Sequence, residues 1–230
     1  MSDAGTPNTP LAVVLLSGGM DSCVTLAHAI ERGFGIAALH VNYGQRTQQR
    51  ELQAFTDICE YYGISRTLVV NISHLAQIGG SALTDTGIDV PPGDPESARI
   101  PVTYVPFRNA NILAIAVSWA EVLGADAIFI GAVEEDSSGY PDCREVFFRA
   151  FEQVIATGSA TGSTISIHTP LLHRTKADIV TMGIGLSAPL HLTWSCYQNN
   201  TYACGTCDSC MLRLKGFAAA GMTDSIVYQP

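Results

Sequence analysis

Charge is scarce in this chain. Lys, Arg, Asp and Glu make up 14% of 230 residues, against 47% hydrophobic ones, and the formal net charge is −9. No basic run occurs anywhere, which excludes a broad nucleic-acid footprint but leaves room for a small basic pocket. Long apolar runs are also missing. The run at residues 11–16 is six residues long and follows a polar stretch, residues 1–10, with two prolines and no basic residue. That is neither a membrane span nor a secretion signal, and it reads as a frayed tail before a cytoplasmic domain. No internal repeat and no separate second domain stand out. The length suits one good core with a small appendage.

What is present is organised around residues 13–22, V-V-L-L-S-G-G-M-D-S. An apolar run of this kind reads as a buried strand of a parallel sheet. Ser17-Gly18-Gly19 interrupts it. Then Cys23, Leu26, Ala27 and Ile30 repeat at helical spacing. Strand, two-glycine turn and helix together make an anion site. The glycines let the backbone approach a ligand, and the helix start aims free N–H groups at it. The turn lacks the lysine of the G-x-x-x-x-G-K-[ST] loop, and it is not G-x-G-x-x-G.

Further strands are expected at residues 35–41, 66–71, 127–131 and 164–168. Helices are expected at 49–62, from about 109 to Gly124, at 145–157, and from Thr175 to Gly183 or Gly185. Alternation of this kind gives a Rossmann-like, doubly wound parallel α/β sheet of about five strands. Residues 72–103 break the rhythm, and 79–100 are expected to be mobile without ligand. Ligands of open α/β sheets bind beyond the carboxyl ends of strands. Four segments meet that edge: residues 17–22, 42–46, 106–109 and 131–143. The expected organisation is a tail at 1–10, an anion-binding α/β domain at 11–190 and a cysteine-rich extension at 191–230 packed on it.

Four of the seven cysteines, Cys196, Cys204, Cys207 and Cys210, form C-x7-C-x2-C-x2-C. Two x2 spacings bring sulfurs from one tight knuckle to one ion. Four thiolates with no open position suit a structural Zn²⁺, with an iron–sulfur cluster as the rival. Cys23 and Cys59 read as core, and Cys143 lies in a site segment.

S-G-G-M-D-S resembles the pyrophosphate loop of the ATP-pyrophosphatase family. Together with N-Y-G-Q-R, V-P-F-R-N, S-G-Y-P-D-C, T-K-A and C-Y…C-G-x-C-x-x-C, it is similar to the 7-cyano-7-deazaguanine synthase family of that group. The resemblance covers nearly all of the chain beyond residue 10. It implies an adenine-nucleotide α-hydrolase-like fold and an ATP-dependent ligase of queuosine biosynthesis. Such an enzyme converts 7-carboxy-7-deazaguanine and ammonia to the nitrile through an adenylated carboxylate and an amide. It uses ATP, Mg²⁺ and Zn²⁺, has small-molecule partners, and needs neither nucleic acid nor membrane. A homodimer is compatible with the apolar content.

The resemblance assigns residues as follows. Ser17, Gly18, Gly19, Met20, Asp21 and Ser22 hold the nucleotide, with Asp21 placing Mg²⁺. Arg46, Arg108 and Lys176 supply positive charge to phosphate or carboxylate; the alternative for each is a solvated surface charge. Asp21, Arg108 and Lys176 carry the catalytic expectation. Phe107, Arg108, Asn109, Glu134, Asp136, Tyr140 and Asp142 are expected at the substrate, Tyr140 by stacking and Asp142 by accepting from the base. Phe107 departs from the pattern, because a small residue is usual there. His40 reads as a structural histidine. Rival readings are a ligase that passes the activated carboxylate to another amine, a tRNA-modifying adenylating enzyme, and a zinc-ribbon interaction module.

Overall fold

The structure, a computed structural model, describes residues 9–92, 100–134, 140–160 and 165–229. The expected tail over 1–8 and the candidate Asp136 lie outside these residues.

The chain runs β1 (Leu11–Leu15), α1 (Met20–Glu31), β2 (Gly35–Asn42), α2 (Gln48–Tyr62), β3 (Thr67–Asn71) and α3 (His74–Ile78). It continues through α4 (Arg108–Leu123), β4 (Ala127–Ile130), α5 (Glu145–Gly158), β5 (Ser166–His168), α6 (Lys176–Gly185) and α7 (Asp208–Ala219). The five strands form one sheet in the order β3-β2-β1-β4-β5, every pair parallel. Val13 of β1 stands opposite Ala37 of β2 on one side and Ile128 of β4 on the other.

Central position explains the composition of β1. Successive side chains point to opposite faces, and both faces are covered. Val13 and Leu15 pack with Leu113 and Ala116 of α4 and Phe148 of α5. Ala12, Val14 and Leu16 pack with Leu26 of α1 and Phe55 and Ile58 of α2. An unbroken apolar run is therefore required. At the edge, β3 exposes Thr67, Val69 and Asn71 in alternation. A third cluster joins Val24 of α1, Ile179 and Val180 of α6, and Phe217 of α7.

The chain builds outward from β1 to β3 and then returns to place β4 on the other side of β1. The strand order thus reverses between β1 and β4, and a crevice opens at their carboxyl ends. Two elements depart from expectation. The segment expected to lack structure carries the single helical turn and a half of α3. The C-terminal knuckle continues directly into α7, whose pattern is masked because Arg213 and Gly216 face inward. No described helix is long and apolar enough to cross a membrane.

Candidate active site

The crevice is a cleft of about 540 Å³. The sequence places its first wall through two glycines. Gly18 has φ +91°, and a Cβ there would stand 2.5 Å from the Glu51 carbonyl oxygen of α2. At Gly131, just past β4, a Cβ would stand 2.9 Å from the Asp21 carbonyl. The loop between β1 and α1 is thus wedged between α2 and the end of β4, where no side chain fits. Inside the loop the Gly19 N–H donates to Ser17 Oγ (3.2 Å), and Ser22 Oγ donates to the Gly19 carbonyl (2.9 Å). Ser17, Gly19, Met20, Asp21 and Ser22 line the cleft, with Gly18 behind them. The first turn of α1 faces the cleft with N–H groups that its own helix cannot satisfy.

Asp21 and Lys176, 155 residues apart, meet at this wall. Lys176 Nζ donates to Asp21 Oδ2 at 2.7 Å. Lys176 is the first residue of α6, which a capping box fixes: the Asp178 N–H donates to Thr175 Oγ1, and Asp178 Oδ2 accepts from the Thr175 N–H. The Thr175 hydroxyl and N–H hold the Asp178 carboxyl below its usual pKa. The second carboxylate oxygen of Asp21, Oδ1, is buried with no hydrogen-bond partner among the described residues. A buried carboxylate oxygen left unpaired is unfavourable, so this atom fits a cation.

The facing wall is aromatic and cationic. Tyr43, Thr103, Arg108, Asn109, Tyr140, Cys143 and Tyr197 line it. The Arg108 guanidinium lies 5.5 Å over the Tyr43 ring and donates to Tyr43 Oη at 3.4 Å. Burial alone would lower the Arg108 pKa, but Tyr43, Cys143, Tyr140 and Asp142 around it outweigh that and raise it. Its charge is therefore fixed. Burial pushes the Tyr43 phenol up to about 12 and raises Tyr140 as well, so both stay neutral donors. Tyr140 Oη shares a hydrogen bond with Thr103 Oγ1 at 2.9 Å.

Four sequence-derived candidates stand elsewhere. Arg46 does not line the cleft. Its Nε donates to the Ala82 carbonyl (2.7 Å) and its Nη2 to the carbonyls of Asp85 (2.9 Å) and Ile88 (2.5 Å). The start of the segment expected to be mobile is therefore tied down, and Ala82 and Leu83 are buried. Phe107 is 61% exposed, edge-on to Phe147, and outside the cleft. Its φ of +57° makes the position left-handed, at the N-cap of α4, a conformation that favours glycine. Asp142 is buried behind the wall. Its Oδ2 accepts from the Asn109 N–H and its carbonyl accepts from Asn109 Nδ2, both at 2.9 Å, which caps α4. Glu134, half-exposed, faces His173 at 3.5 Å instead of the cleft. Asp136 is not described. His40 is buried, with Nδ1 on the Leu16 carbonyl and Nε2 on Asn42 Oδ1, each at 3.1 Å, and burial lowers its pKa.

The sequence reading missed a third side of the cleft. Trp194, Ser195, Tyr197, Asp208, Ser209 and Arg213 line it from the C-terminal segment. The one available signal was the W-S-C-Y run at residues 194–197, of which Cys196 was read as a metal ligand and Cys-Tyr as part of the resemblance.

Behind that side, the four cysteine sulfurs of Cys196, Cys204, Cys207 and Cys210 lie within 4.8 Å of one another. Metal–sulfur bonds of about 2.3 Å in a tetrahedron place sulfurs about 3.8 Å apart, and Cys204 and Cys210 are at 3.9 Å. Backbone N–H groups of Gln198, Asn199 and Cys204 point at Cys196 Sγ, and those of Thr206 and Cys207 at Cys204 Sγ. Thiolates attract such donors. Hydrogen bonds from Cys207 and Cys210 pull the Cys196 thiol down, while Cys207 is pushed up to about 12. The cluster can bind a metal: one ion is what lets all four sulfurs be ionised together.

The chain belongs to the family described as Queuosine biosynthesis protein QueC, whose model matches residues 11–221. The 7-cyano-7-deazaguanine synthase of Chlorobaculum parvum is 56% identical over 218 residues, covering 95% of this chain and 96% of that protein. The enzyme of that name from Chlorobium phaeobacteroides is 57% identical over the same shares. Among solved structures, a 4-thiouridine synthetase–RNA complex with bound ATP aligns over 95% of this chain and 47% of that chain, at a TM-score of 0.49 and 19% identity.

Proposed function

We propose that the chain converts 7-carboxy-7-deazaguanine and ammonia to 7-cyano-7-deazaguanine, using ATP, as its family name and relatives imply. The observation that carries the reading is one cleft with two unlike walls. A glycine loop, a helix start and the Asp21–Lys176 pair suit phosphates. Across from them, Arg108, Asn109 and the aromatic rings suit a planar base bearing a carboxylate.

A carboxylate is a poor acyl donor until its oxygen becomes a good leaving group. The proposed order is attack of the carboxylate on the α-phosphate, displacement of AMP by ammonia, and activation of the resulting amide oxygen by a second ATP. Elimination then leaves the nitrile. In this scheme Ser17, Gly19 and Ser22 hold the leaving pyrophosphate, and Lys176 stabilises its growing charge. Arg108 orients the carboxylate, and Tyr140 flanks the base. Asp21, through Oδ1, is the residue to hold Mg²⁺, which would neutralise phosphate charge when bound. Cys196, Cys204, Cys207 and Cys210 are proposed to hold Zn²⁺ as a closed structural centre. The chain is proposed to act in the cytoplasm, where cysteines outside disulfides stay reduced. A homodimer is proposed on the apolar content of the chain alone.

The test is one incubation of protein with Mg-ATP, ammonium and 7-carboxy-7-deazaguanine, read by mass spectrometry. Nitrile with AMP is expected. AMP with only amide would indicate a ligase that stops before the second activation, and no AMP from folded, metal-loaded protein would refute the substrate. Metal analysis of the same sample should find one zinc and no iron.

A further inference from the structure

Arg213 lies on α7, and the mechanism above does not use it. Its side chain is 1% exposed, and it is the largest of the fully buried side chains among the described residues. A buried guanidinium is tolerated when its donors are satisfied, and these are. Nε and Nη2 form a two-pronged pair with Asp224, at 2.6 and 3.0 Å. Nη1 donates to Thr193 Oγ1 (2.6 Å) and Ser195 Oγ (3.2 Å), and Nη2 donates to the Leu190 carbonyl (3.1 Å). The planar fork thus fixes residues 190–195 in one geometry. Between its two hydroxyl partners is Trp194, whose N–H donates to the Gly18 carbonyl at 2.9 Å. Gly18 is the glycine that α2 blocks from the other side.

We propose that Arg213 is a positioning residue for the phosphate loop, holding the Gly18 carbonyl from behind through Thr193 and Trp194. Burial as such does not explain the arrangement, because well-packed apolar residues often serve stability as well as a buried ion pair. What an apolar side chain cannot do is fix two hydroxyls and a carbonyl at set distances. The loop's N–H groups meet phosphate in a usable geometry only if its backbone is held, and misplacement by about 1 Å can cost about 100-fold.

The proposal rests on the ATP-using reading above, and its test separates the two. Arg213→Lys and Thr193→Val are measured for Mg-ATP affinity by calorimetric titration, KM for ATP, KM for 7-carboxy-7-deazaguanine, bound metal and Tm. Arg213→Lys is expected to weaken Mg-ATP affinity and raise KM for ATP about tenfold, with KM for the carboxylated base within about twofold and metal content unchanged. Thr193→Val removes the hydroxyl that accepts from Arg213 and donates to the Leu190 carbonyl, and keeps the shape. It should shift ATP affinity about threefold in the same direction at near wild-type Tm, and it decides the matter if Arg213→Lys does not fold. Unchanged ATP affinity in folded Thr193→Val protein, or loss of kcat alone in proportion to folded fraction, would overturn the proposal. Wild-type protein that binds Mg-ATP without making nitrile would sink the ligase reading, and the binding titration would still decide this one.

Discussion

The phosphate loop and the cysteine knuckle lie on two sides of one cleft, yet they are stabilised in opposite ways. The loop is framed by β1, α1, α2 and the end of β4, and its one carboxylate already has a cation, Lys176 at 2.7 Å. The knuckle is a loop entering α7, with four sulfurs within 4.8 Å and backbone N–H groups as their donors. A site that carries its own counter-charge on regular elements can form before its ligand arrives. Four ionised sulfurs cannot, so a cation bound there would be part of folding.

The largest expected effect tests that contrast directly. Cys207→Ser, or chelation, should lose metal and the structure of the C-terminal segment together, since structural zinc contributes about 10–16 kcal/mol in small zinc domains. Metal analysis and thermal melts check this; a chelated protein with wild-type Tm would erase the contrast. Asp21→Ala should do the reverse. AMP formation should fall about 100-fold or more while Tm moves by only a few degrees, because the loop's frame does not depend on that carboxylate. Collapse of the fold in this variant would show that the loop, too, needs its charge pair.

A third test concerns acid. Burial raises the Asp224 carboxyl pKa, but Arg213, the Tyr228 hydroxyl and the Ile226 N–H outweigh it and hold it below the ordinary value. The folded pKa is depressed, so this stabilisation is complete above about pH 4 and is lost as pH falls through the folded value. Melts of wild type and Asp224→Asn should therefore converge below about pH 4 and diverge above it. Parallel curves would mean that the pair contributes nothing to the knuckle side. The smallest effect is at Phe107. A left-handed non-glycine residue costs about 1–2 kcal/mol, so Phe107→Gly should be neutral to stabilising by about 1 kcal/mol despite the extra freedom of the unfolded chain. Turnover should stay within about twofold; a tenfold loss would return Phe107 to the site.

The two sides also differed in how readily the sequence revealed them. Strand, glycine turn and helix repeat with short periods, so β1 to α2 and the loop could be read almost to the residue. The cysteines were legible because metal geometry demands close spacing. Illegible were the roles that depend on distant partners. Arg46 and Arg108 sit in equally suggestive motifs, but one is used up on the carbonyls of Ala82, Asp85 and Ile88, and the other lines the cleft. Asp142, which looked free to accept from a base, caps α4 through Asn109.

By itself, then, the sequence determined the parallel sheet, the two-glycine turn and the four-sulfur cluster, because period, turn chemistry and ligand spacing are local properties. Tertiary structure alone decided that Lys176 meets Asp21 across 155 residues, and that the segment around Trp194 completes the cleft. It also decided that Arg213 is buried at the back of the loop rather than exposed on a tail helix. Those facts depend on which surfaces α6 and α7 bury against α1, and burial against a distant element has no spacing rule for a sequence to display.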